Sequence, residues 1–391
     1  MKTEKLYYVD SYIKNFNAKV LSCESVGESF CVVLDKTAFF AEGGGQKADT
    51  GFIGEAKVLD VLEENGELKH YVDKTLELEK EYACVIDWDK RFSRMQNHSG
   101  EHIVSGITHA IYGFDNVGFH MEEDYVTVDF NGELNRAQLD EIEDKANEVI
   151  YKNEDIICYF PNPDELKTLD YRSKLDLKDD VRLVKIGDTD LCACCAPHVS
   201  KTGEIGVVKI LDFMRHRGGV RLVMTSGKTA LNDYREKYSQ VYNVSGLLSA
   251  KQSEISTAVE RLKNEADEIR HEYNEFKQRI AQADCKNLNL IVNVSYFISE
   301  YYDANMMRTL VNFGMEESRI CFVFSGDDKT GYSYIIGSNS LDMREVAEEV
   351  NTSLNGRGGG RDGMIQGKVS ENEKTILDFL NTTAQLLGKE E

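Results

Sequence analysis

The sequence predicts a multidomain α+β protein, and four observations support this. Short β-branched runs between glycine turns fill residues 1–90, helical and strand patterns mix over 91–227, and a heptad repeat occupies 228–282. Strands and helices alternate over 283–391. A chain of 391 residues is long enough for two or three globular domains. We expect a small β-barrel, an α+β domain, a helical coiled-coil linker and a small α/β domain, in that order.

Composition sets broad limits on the kind of protein. Apolar residues make up 41% of the chain and charged residues 29%, which is typical of soluble globular proteins. The sequence contains no signal-peptide core and no apolar run of about 18 residues, so we expect a soluble, cytoplasmic protein with no membrane partner. The net charge of −22 argues against non-specific nucleic-acid binding over the whole surface, although a local basic patch remains compatible with it.

Residues 1–90 contain the first candidate site. Strand patterns at 29–35, 56–64, 69–73 and 82–88 predict a small antiparallel barrel. Between the first two lies Thr37-Ala-Phe-Phe-Ala-Glu-Gly43-Gly44-Gly45-Gln46. Three glycines let backbone N–H groups approach a ligand closely, and Gln46 adds both a donor and an acceptor. The alternative is a flexible hairpin turn.

The second segment carries candidate metal ligands. A helix is predicted from residue 89 to about 112, and it places His98 and His102 on one face. Cys194 and His198 follow in a loop that also holds Cys192 and Cys195. Each pair alone has a simpler interpretation. The two histidines of the helix could share a face by chance, and the cysteine-rich loop could be a redox-active cluster. Together they form a two-plus-two set suited to tetrahedral Zn²⁺.

The rest of the second segment mixes strands with one further helix. We expect Asn135 to cap this helix. The predicted strands are 117–121, 125–130, 180–188, 204–212 and 218–226.

Residues 228–282 show apolar residues every seven positions, from Tyr234 to Phe276. This pattern predicts a coiled coil or a long helical hairpin, whereas the simpler alternative is one amphipathic helix packed on its own domain. We expect a homodimer through this helical segment and the C-terminal domain.

The last segment ends in a glycine-rich stretch. One strand is expected over 288–297, and Asn355-Gly-Arg357-Gly-Gly-Gly-Arg361 is expected to be a loop whose two arginines bind phosphate. It lacks the Lys-Ser/Thr of a Walker loop and the preceding strand of a Rossmann turn. The alternative is a mobile surface loop.

These motifs share one specific resemblance. TAFFAEGGGQKADTG, NHSGEHIVSGI, CCAPHVSKTGEIGVVKI and GVRLVMTSG resemble the editing domain of alanyl-tRNA synthetase, and NGRGGGRDGMIQG resembles its DHH-associated C-terminal domain. The motifs occur along the chain in the same order as in the family, and the segments for amino-acid activation are missing. The chain is therefore identified as a member of the stand-alone, long-form alanyl-tRNA editing proteins, with a translation-factor-like barrel at 1–90, a zinc-binding editing domain at 91–227 and the DHH-associated domain at 283–391.

The resemblance implies an activity and assigns residues to it. It implies ATP-independent, zinc-dependent hydrolysis of mischarged tRNA(Ala), chiefly seryl-tRNA(Ala) and also glycyl-tRNA(Ala). The implied zinc ligands, for one ion per chain, are His98, His102, Cys194 and His198. Thr37 and Gln46 are implied as catalytic pocket residues. From the residues themselves, we expect the backbone N–H groups of Gly43, Gly44 and Gly45 to bind substrate. The basic stretch 201–221 has a local excess of positive charge, which favours Arg221, together with Arg357 and Arg361, as tRNA-binding residues. Two other readings stay open: a tRNA-binding adaptor with a degenerate site, and a zinc-dependent hydrolase of a small ester.

Overall fold

A computed structural model describes residues 3–173, 181–361 and 363–389. The chain divides into two compact units, Met1–Asn243 and Val244–Glu391, and several sheets combine with helices in them, so the α+β class is confirmed. The division into four segments stays a prediction. None of the helices in the described ranges has both the length and the apolar character of a membrane span.

The first unit contains two short stretches of 3₁₀ helix, at Leu6–Tyr8 and Thr202–Ile205. Its strands and helices are, in chain order, β1 (Glu4–Lys5), β2 (Asn15–Val26), β3 (Ser29–Leu34), β4 (Lys36–Thr37), β5 (Gly51–Ile53), β6 (Ala56–Glu64), β7 (Glu67–Val72), β8 (Glu81–Ile86), α1 (Trp88–Tyr112), β9 (Asn116–Met121), β10 (Val126–Phe130), α2 (Arg136–Lys152), β11 (Ile156–Tyr159), α3 (Pro163–Leu166), β12 (Leu183–Ile186), β13 (Asp190–Ala193), β14 (Val208–His216), β15 (Gly219–Ser226) and α4 (Gly227–Leu248). The strand predicted over 180–188 begins at Asp180, which lies outside the described residues.

Six of these strands close into a barrel in the order β2-β3-β7-β6-β5-β8. Alternating apolar side chains fill its interior, as the period-2 pattern requires; they include Val20, Val32, Leu34, Val58 and Val72. A separate parallel pair, β1 with β4, holds Thr37 opposite Lys5.

Helix α1 leads from the barrel into the rest of the first unit. The Asp87 side chain accepts a hydrogen bond from the Lys90 N–H at its start, and Gly113 ends it in the left-handed region with φ of 69°. Asn135 caps α2 in a reciprocal pair with Gln138, as predicted. One apolar core joins both helices to the sheet β14-β15-β10-β9 and the sheet β11-β12-β13. This core fixes α1, which carries the candidate histidines.

The second unit has a six-stranded sheet in the order β16-β17-β18-β19-β21-β20. Its elements are α5 (Ile255–Asp284), β16 (Asn289–Ile291), β17 (Val294–Ser299), α6 (Ala304–Glu317), β18 (Ile320–Asp327), β19 (Gly331–Gly337), α7 (Met343–Ser353), β20 (Arg357–Arg361), β21 (Met364–Val369) and α8 (Glu373–Leu387). One core packs α7 and α8 on one sheet face, and a second core packs α6 and the end of α5 on the other. The sheet is largely antiparallel, with β17 and β18 running parallel.

Two expectations require correction. The single strand over 288–297 is wrong: Asn293, with φ of 63°, turns the chain between β16 and β17. The glycine-rich loop is also wrong, because its residues form the exposed edge strand β20. The heptad segment is divided after α4, where Ser249 adopts φ of 49°, and the coiled coil or helical hairpin stays a prediction.

Candidate metal centre

Four side chains with nitrogen or sulfur donors converge between α1 and the loop after β13. His98 and His102 lie one turn apart on α1, and Cys194 and His198 lie in the loop. Their donor atoms all lie within 4.8 Å of one another. The Cys194 Sγ lies 3.6 Å from Nε2 of His98 and 3.4 Å from Nε2 of His198. The four donors face one point, which is the arrangement that a metal ion needs.

Each imidazole is held through its other ring nitrogen. The Nδ1 atoms of the three histidines lie, in chain order, 2.8 Å from Oε1 of Gln46, 2.8 Å from Oδ2 of Asp190 and 3.0 Å from Oγ of Ser99. Contacts of this kind fix the ring orientation and direct Nε2 towards a metal. The three partners are fully buried or nearly so, so water does not compete strongly for these hydrogen bonds.

A further residue supports Asp190. Arg172 donates from Nε to Oδ1 of Asp190 at 2.8 Å and from Nη2 to Oδ2 at 2.9 Å. A two-point contact of this kind fixes the plane of the carboxylate. The carboxylate that orients His102 is therefore itself held in place.

The structure also distinguishes the three clustered cysteines. Cys194 is the one whose Sγ lies among the three imidazoles, whereas Cys195 is exposed. Cys192 is buried, and its Sγ lies near His102 and Asp190. Arg182 holds the loop by donating to the carbonyls of Cys194 and Ala196 at 3.0 Å and 2.9 Å.

The electrostatics of the centre fit a cation that accepts nitrogen and sulfur ligands. Burial raises the pKa of the Cys194 thiol well above its ordinary value. Burial, with His102 and His98 nearby, lowers the pKa of His198 well below its ordinary value. The imidazole is therefore neutral, as a metal ligand must be, and a bound cation would stabilise the thiolate.

Gln46 lies at the end of the glycine turn and contacts the centre directly. Gly43 and Gln46 exchange backbone hydrogen bonds at 3.1 Å, so the Gly43 N–H is used within the turn. Gly45 has φ of 82°, and a Cβ there would lie 2.4 Å from the Phe119 carbonyl oxygen, so only glycine fits. The Gln46 Nε2 is buried without a hydrogen-bond partner among the described residues. A buried donor without an acceptor lowers the stability of the fold unless a ligand accepts its hydrogen bond.

Thr37 is placed inside the barrel segment. Its hydroxyl lies 2.9 Å from Nε2 of His70 and accepts a hydrogen bond from the Phe39 N–H at 3.1 Å. The Nδ1 of His70 lies 3.1 Å from the Val32 carbonyl oxygen and donates to it. Nε2 is then the acceptor, and the Thr37 proton is given to it. The hydroxyl of Thr37, a residue that the resemblance implies for the pocket, therefore has two protein partners.

The predicted tRNA-binding arginines have contrasting surroundings. Arg221 forms a two-point ion pair with Asp129 at 2.6 Å and 2.7 Å. Other cations of the basic stretch 201–221 also have acidic partners, namely Lys201, Lys209 and Arg215. Arg357 and Arg361, by contrast, lie at the two ends of the exposed strand β20.

Sequence reasoning missed Asp190, Ser99 and Arg172. Ser99 is the neighbour of His98, and Asp190 lies four residues before Cys194, so proximity to ligand motifs is the one available signal. Arg172 is distant in sequence from both motifs, and only the fold brings it to Asp190.

Three family models match parts of the chain. Residues 3–90 match the model for tRNA synthetases class II (A), residues 181–228 match the threonyl and alanyl tRNA synthetase second additional domain, and residues 288–387 match the DHHA1 domain.

Whole-length relatives carry consistent names. The chain is 28% identical to the alanyl-tRNA editing protein AlaX-L of Pyrococcus horikoshii, over 96% of each chain. It is 27% identical to the alanyl-tRNA editing protein Aarsd1-A of Xenopus laevis, over 93% of each. It is 30% identical to the alanine–tRNA ligase of Pyrococcus abyssi, over 95% of this chain but 42% of the ligase.

Proposed function

We propose that this chain, a relative of the alanyl-tRNA editing proteins over nearly its whole length, is a deacylase that removes wrong amino acids from tRNA(Ala). The resemblance predicted from the motifs is confirmed by these relatives. The substrates of the proposal are seryl-tRNA(Ala) first and glycyl-tRNA(Ala) second, cleaved by water without ATP. The observation that carries the proposal is the convergence of four donor atoms at a buried point beside an orphan amide donor.

The proposal assigns Zn²⁺ to His98, His102, Cys194 and His198. Three imidazoles and one thiolate are the donor set that this ion prefers. When bound, Zn²⁺ supplies a Lewis acid for the ester carbonyl or a charge that orients the substrate's amine. The imidazoles keep Nε2 directed at the ion through the hydrogen bonds of their Nδ1 atoms.

The proposal assigns binding of the reacting ester to two groups of this chain. The Gln46 Nε2 is a buried donor without a protein acceptor, and Gly44 and Gly45 are exposed at the turn beside it. Hydrolysis builds negative charge on the carbonyl oxygen, and donors fixed in advance stabilise that charge. We assign the oxyanion contact to Gln46 and to the N–H groups of Gly44 and Gly45.

The rest of the tRNA is assigned to the C-terminal segment. Arg357 and Arg361 flank three glycines on an exposed edge strand, where guanidinium groups can reach a phosphate backbone. Arg221 has a smaller role in this proposal because Asp129 already binds its guanidinium. Residues 283–391 would then act as the DHH-associated domain expected from the sequence.

The two alternatives differ in measurable ways. An adaptor with a degenerate site would bind tRNA without hydrolysing the ester, and the intact donor set argues against it. A hydrolase of small esters would cleave a free seryl ester as fast as seryl-tRNA(Ala).

Deacylation assays test the proposal. We expect release of serine from seryl-tRNA(Ala), slower release from the glycyl form and little from the alanyl form, with loss of activity after chelation. His98→Ala should abolish release, whereas His109→Ala, a half-exposed histidine on the same helix, should not. Retained tRNA binding with no release by the unmodified protein would support the adaptor instead.

A further inference from the structure

An aromatic pair lies beside the candidate metal centre, and no step of the proposed hydrolysis uses it. The ring centroids of Tyr8 and Phe160 are 5.5 Å apart at 73°, an edge-to-face contact. Tyr8 is partly buried, but half of Phe160 is exposed, at 50%. The Phe160 ring is therefore an exposed aromatic group that a second ring supports.

Tyr8 is fixed to the loop that carries two of the candidate ligands. The Arg182 guanidinium lies 5.3 Å from the centre of the Tyr8 ring, and the same side chain donates to the Cys194 carbonyl at 3.0 Å. Lys5 Nζ lies 5.5 Å from the ring centre and is paired with Glu63 at 2.8 Å. Two cations hold the ring by cation–π attraction, so the support beneath Phe160 is rigid.

Contacts link this aromatic pair to the candidate metal centre. Tyr8 and Cys194 pack against one small cluster of Tyr7, Phe40 and Ala196. Exposed Cys195 follows, and its Sγ would lie 3.8 Å from a Cβ built at Gly44. The aromatic pair, the ligand loop and the glycine turn are thus linked by successive contacts.

We infer that Phe160, supported by Tyr8, is the ring on which the terminal adenine of the substrate tRNA stacks. The inference rests on the proposed function, because that substrate carries its ester on the ribose of the terminal nucleotide. Base and ester lie on one ribose, and Tyr8, which supports the ring, packs against the same small cluster as Cys194 of the donor set. Lys5 is already paired with Glu63 at 2.8 Å, so it is not a free cation for a phosphate, whereas an aromatic ring stacks on a base. Stacking tolerates any base, and a fixed ring costs little ordering on binding.

A binding experiment tests the platform without any hydrolysis. An RNA hairpin ending in CC-2-aminopurine, with the fluorescent base in the terminal position, is titrated with the full-length protein. Stacking should quench the fluorescence with the unmodified protein and with Phe160→Tyr. Phe160→Ala should lose the quenching, whereas Tyr151→Ala, an aromatic of the same unit that is 75% exposed, should retain it. Equal quenching by Phe160→Ala would overturn the inference.

Kinetics separate this inference from the proposed function. For seryl-tRNA(Ala), kcat/KM of Phe160→Ala should fall about tenfold or more, chiefly through KM, and Phe160→Tyr should restore it. Deacylation that Phe160→Ala leaves unchanged contradicts the platform and leaves the proposed function standing. Quenching without deacylation by the unmodified protein contradicts the proposed function and supports the platform.

Discussion

The amide oxygen of Gln46 lies 2.8 Å from Nδ1 of His98, so a residue of the barrel segment orients a candidate ligand on helix α1. Gln46 is completely buried, and its nitrogen has no partner among the described residues. One side chain therefore has two ends with different tasks: its oxygen holds the imidazole, and its nitrogen is the buried donor that the proposal assigns to the ester.

Changing Gln46 should separate these two tasks. Gln46→Ala removes the acceptor and should weaken metal binding by about tenfold to a hundredfold, as loss of such partners typically does. Gln46→Glu keeps an acceptor for His98 but loses the amide donor, so it should keep the metal and lose activity. Competition with a chromophoric chelator measures the affinity. Equal affinity of the two variants would show that Gln46 does not orient His98.

The three clustered cysteines should differ in metal retention. Cys194→Ala removes the one thiol among the three imidazoles and should lose the metal. Cys192→Ala and Cys195→Ala should keep about one ion per chain. Elemental analysis of the purified variants checks this, and the reverse order would reject the ligand assignment.

Thr37→Val should affect both selectivity and stability. The substitution keeps the shape but leaves the His70 Nε2 and the Phe39 N–H without their partner. We expect a loss of roughly 1–3 kcal/mol in the free energy of unfolding. Serine differs from alanine by one hydroxyl, so a pocket that selects serine must bind this group. If Thr37 makes that contact, the ratio of seryl to alanyl cleavage should fall about tenfold or more. Lower stability with an unchanged ratio would make Thr37 a purely structural residue.

Acid should destabilise the barrel through His70. Burial lowers the pKa of His70 from 6.5 to about 4. Between pH 6.5 and pH 4, His70 binds a proton in the unfolded chain but not in the folded barrel. The free energy of unfolding is therefore highest above pH 6.5 and falls towards pH 4. We expect the free energy of unfolding to fall by roughly 3 kcal/mol over this range.

The single tryptophan, Trp88, begins α1 and reports on the first unit. Urea unfolding followed by its fluorescence should therefore show a weaker pH dependence in His70→Gln. His271→Gln, an exposed position on α5, should behave as the unmodified protein does. The same pH dependence in His70→Gln as in the unmodified protein would contradict the assignment.

The helical segment makes a prediction about assembly. Leu262, Ile269 and Phe276 of the heptad pattern are 54%, 66% and 60% exposed in the single chain. We expect them to be covered in a homodimer. Leu262→Asp with Ile269→Asp should then halve the mass measured by light scattering, because charge would be buried in the contact. A monomeric mass for the unmodified protein would contradict the predicted homodimer.

Local sequence patterns predicted much of the secondary structure and the positions of candidate ligands. The i, i+4 spacing of His98 and His102 is set by helix geometry, and the helix N-cap at Asn135 needs only neighbouring residues. One failure is local: β20 pairs with β21, which follows it directly, but backbone groups make this pairing and the glycines of β20 carry no apolar alternation that would indicate a strand. The other failures are non-local. The partners of the imidazoles depend on contacts such as His102 with Asp190, which only the fold creates.

The spread of the candidate ligands along the chain has one more consequence. His102 and Cys194 enclose β9, β10, α2 and the strands up to β13, so an ion bound to both would cross-link the ends of a long loop. Such a link removes conformational freedom from the unfolded chain, and its effect grows slowly with loop length. The ion would then help to determine whether the first unit assembles at all, before any substrate arrives.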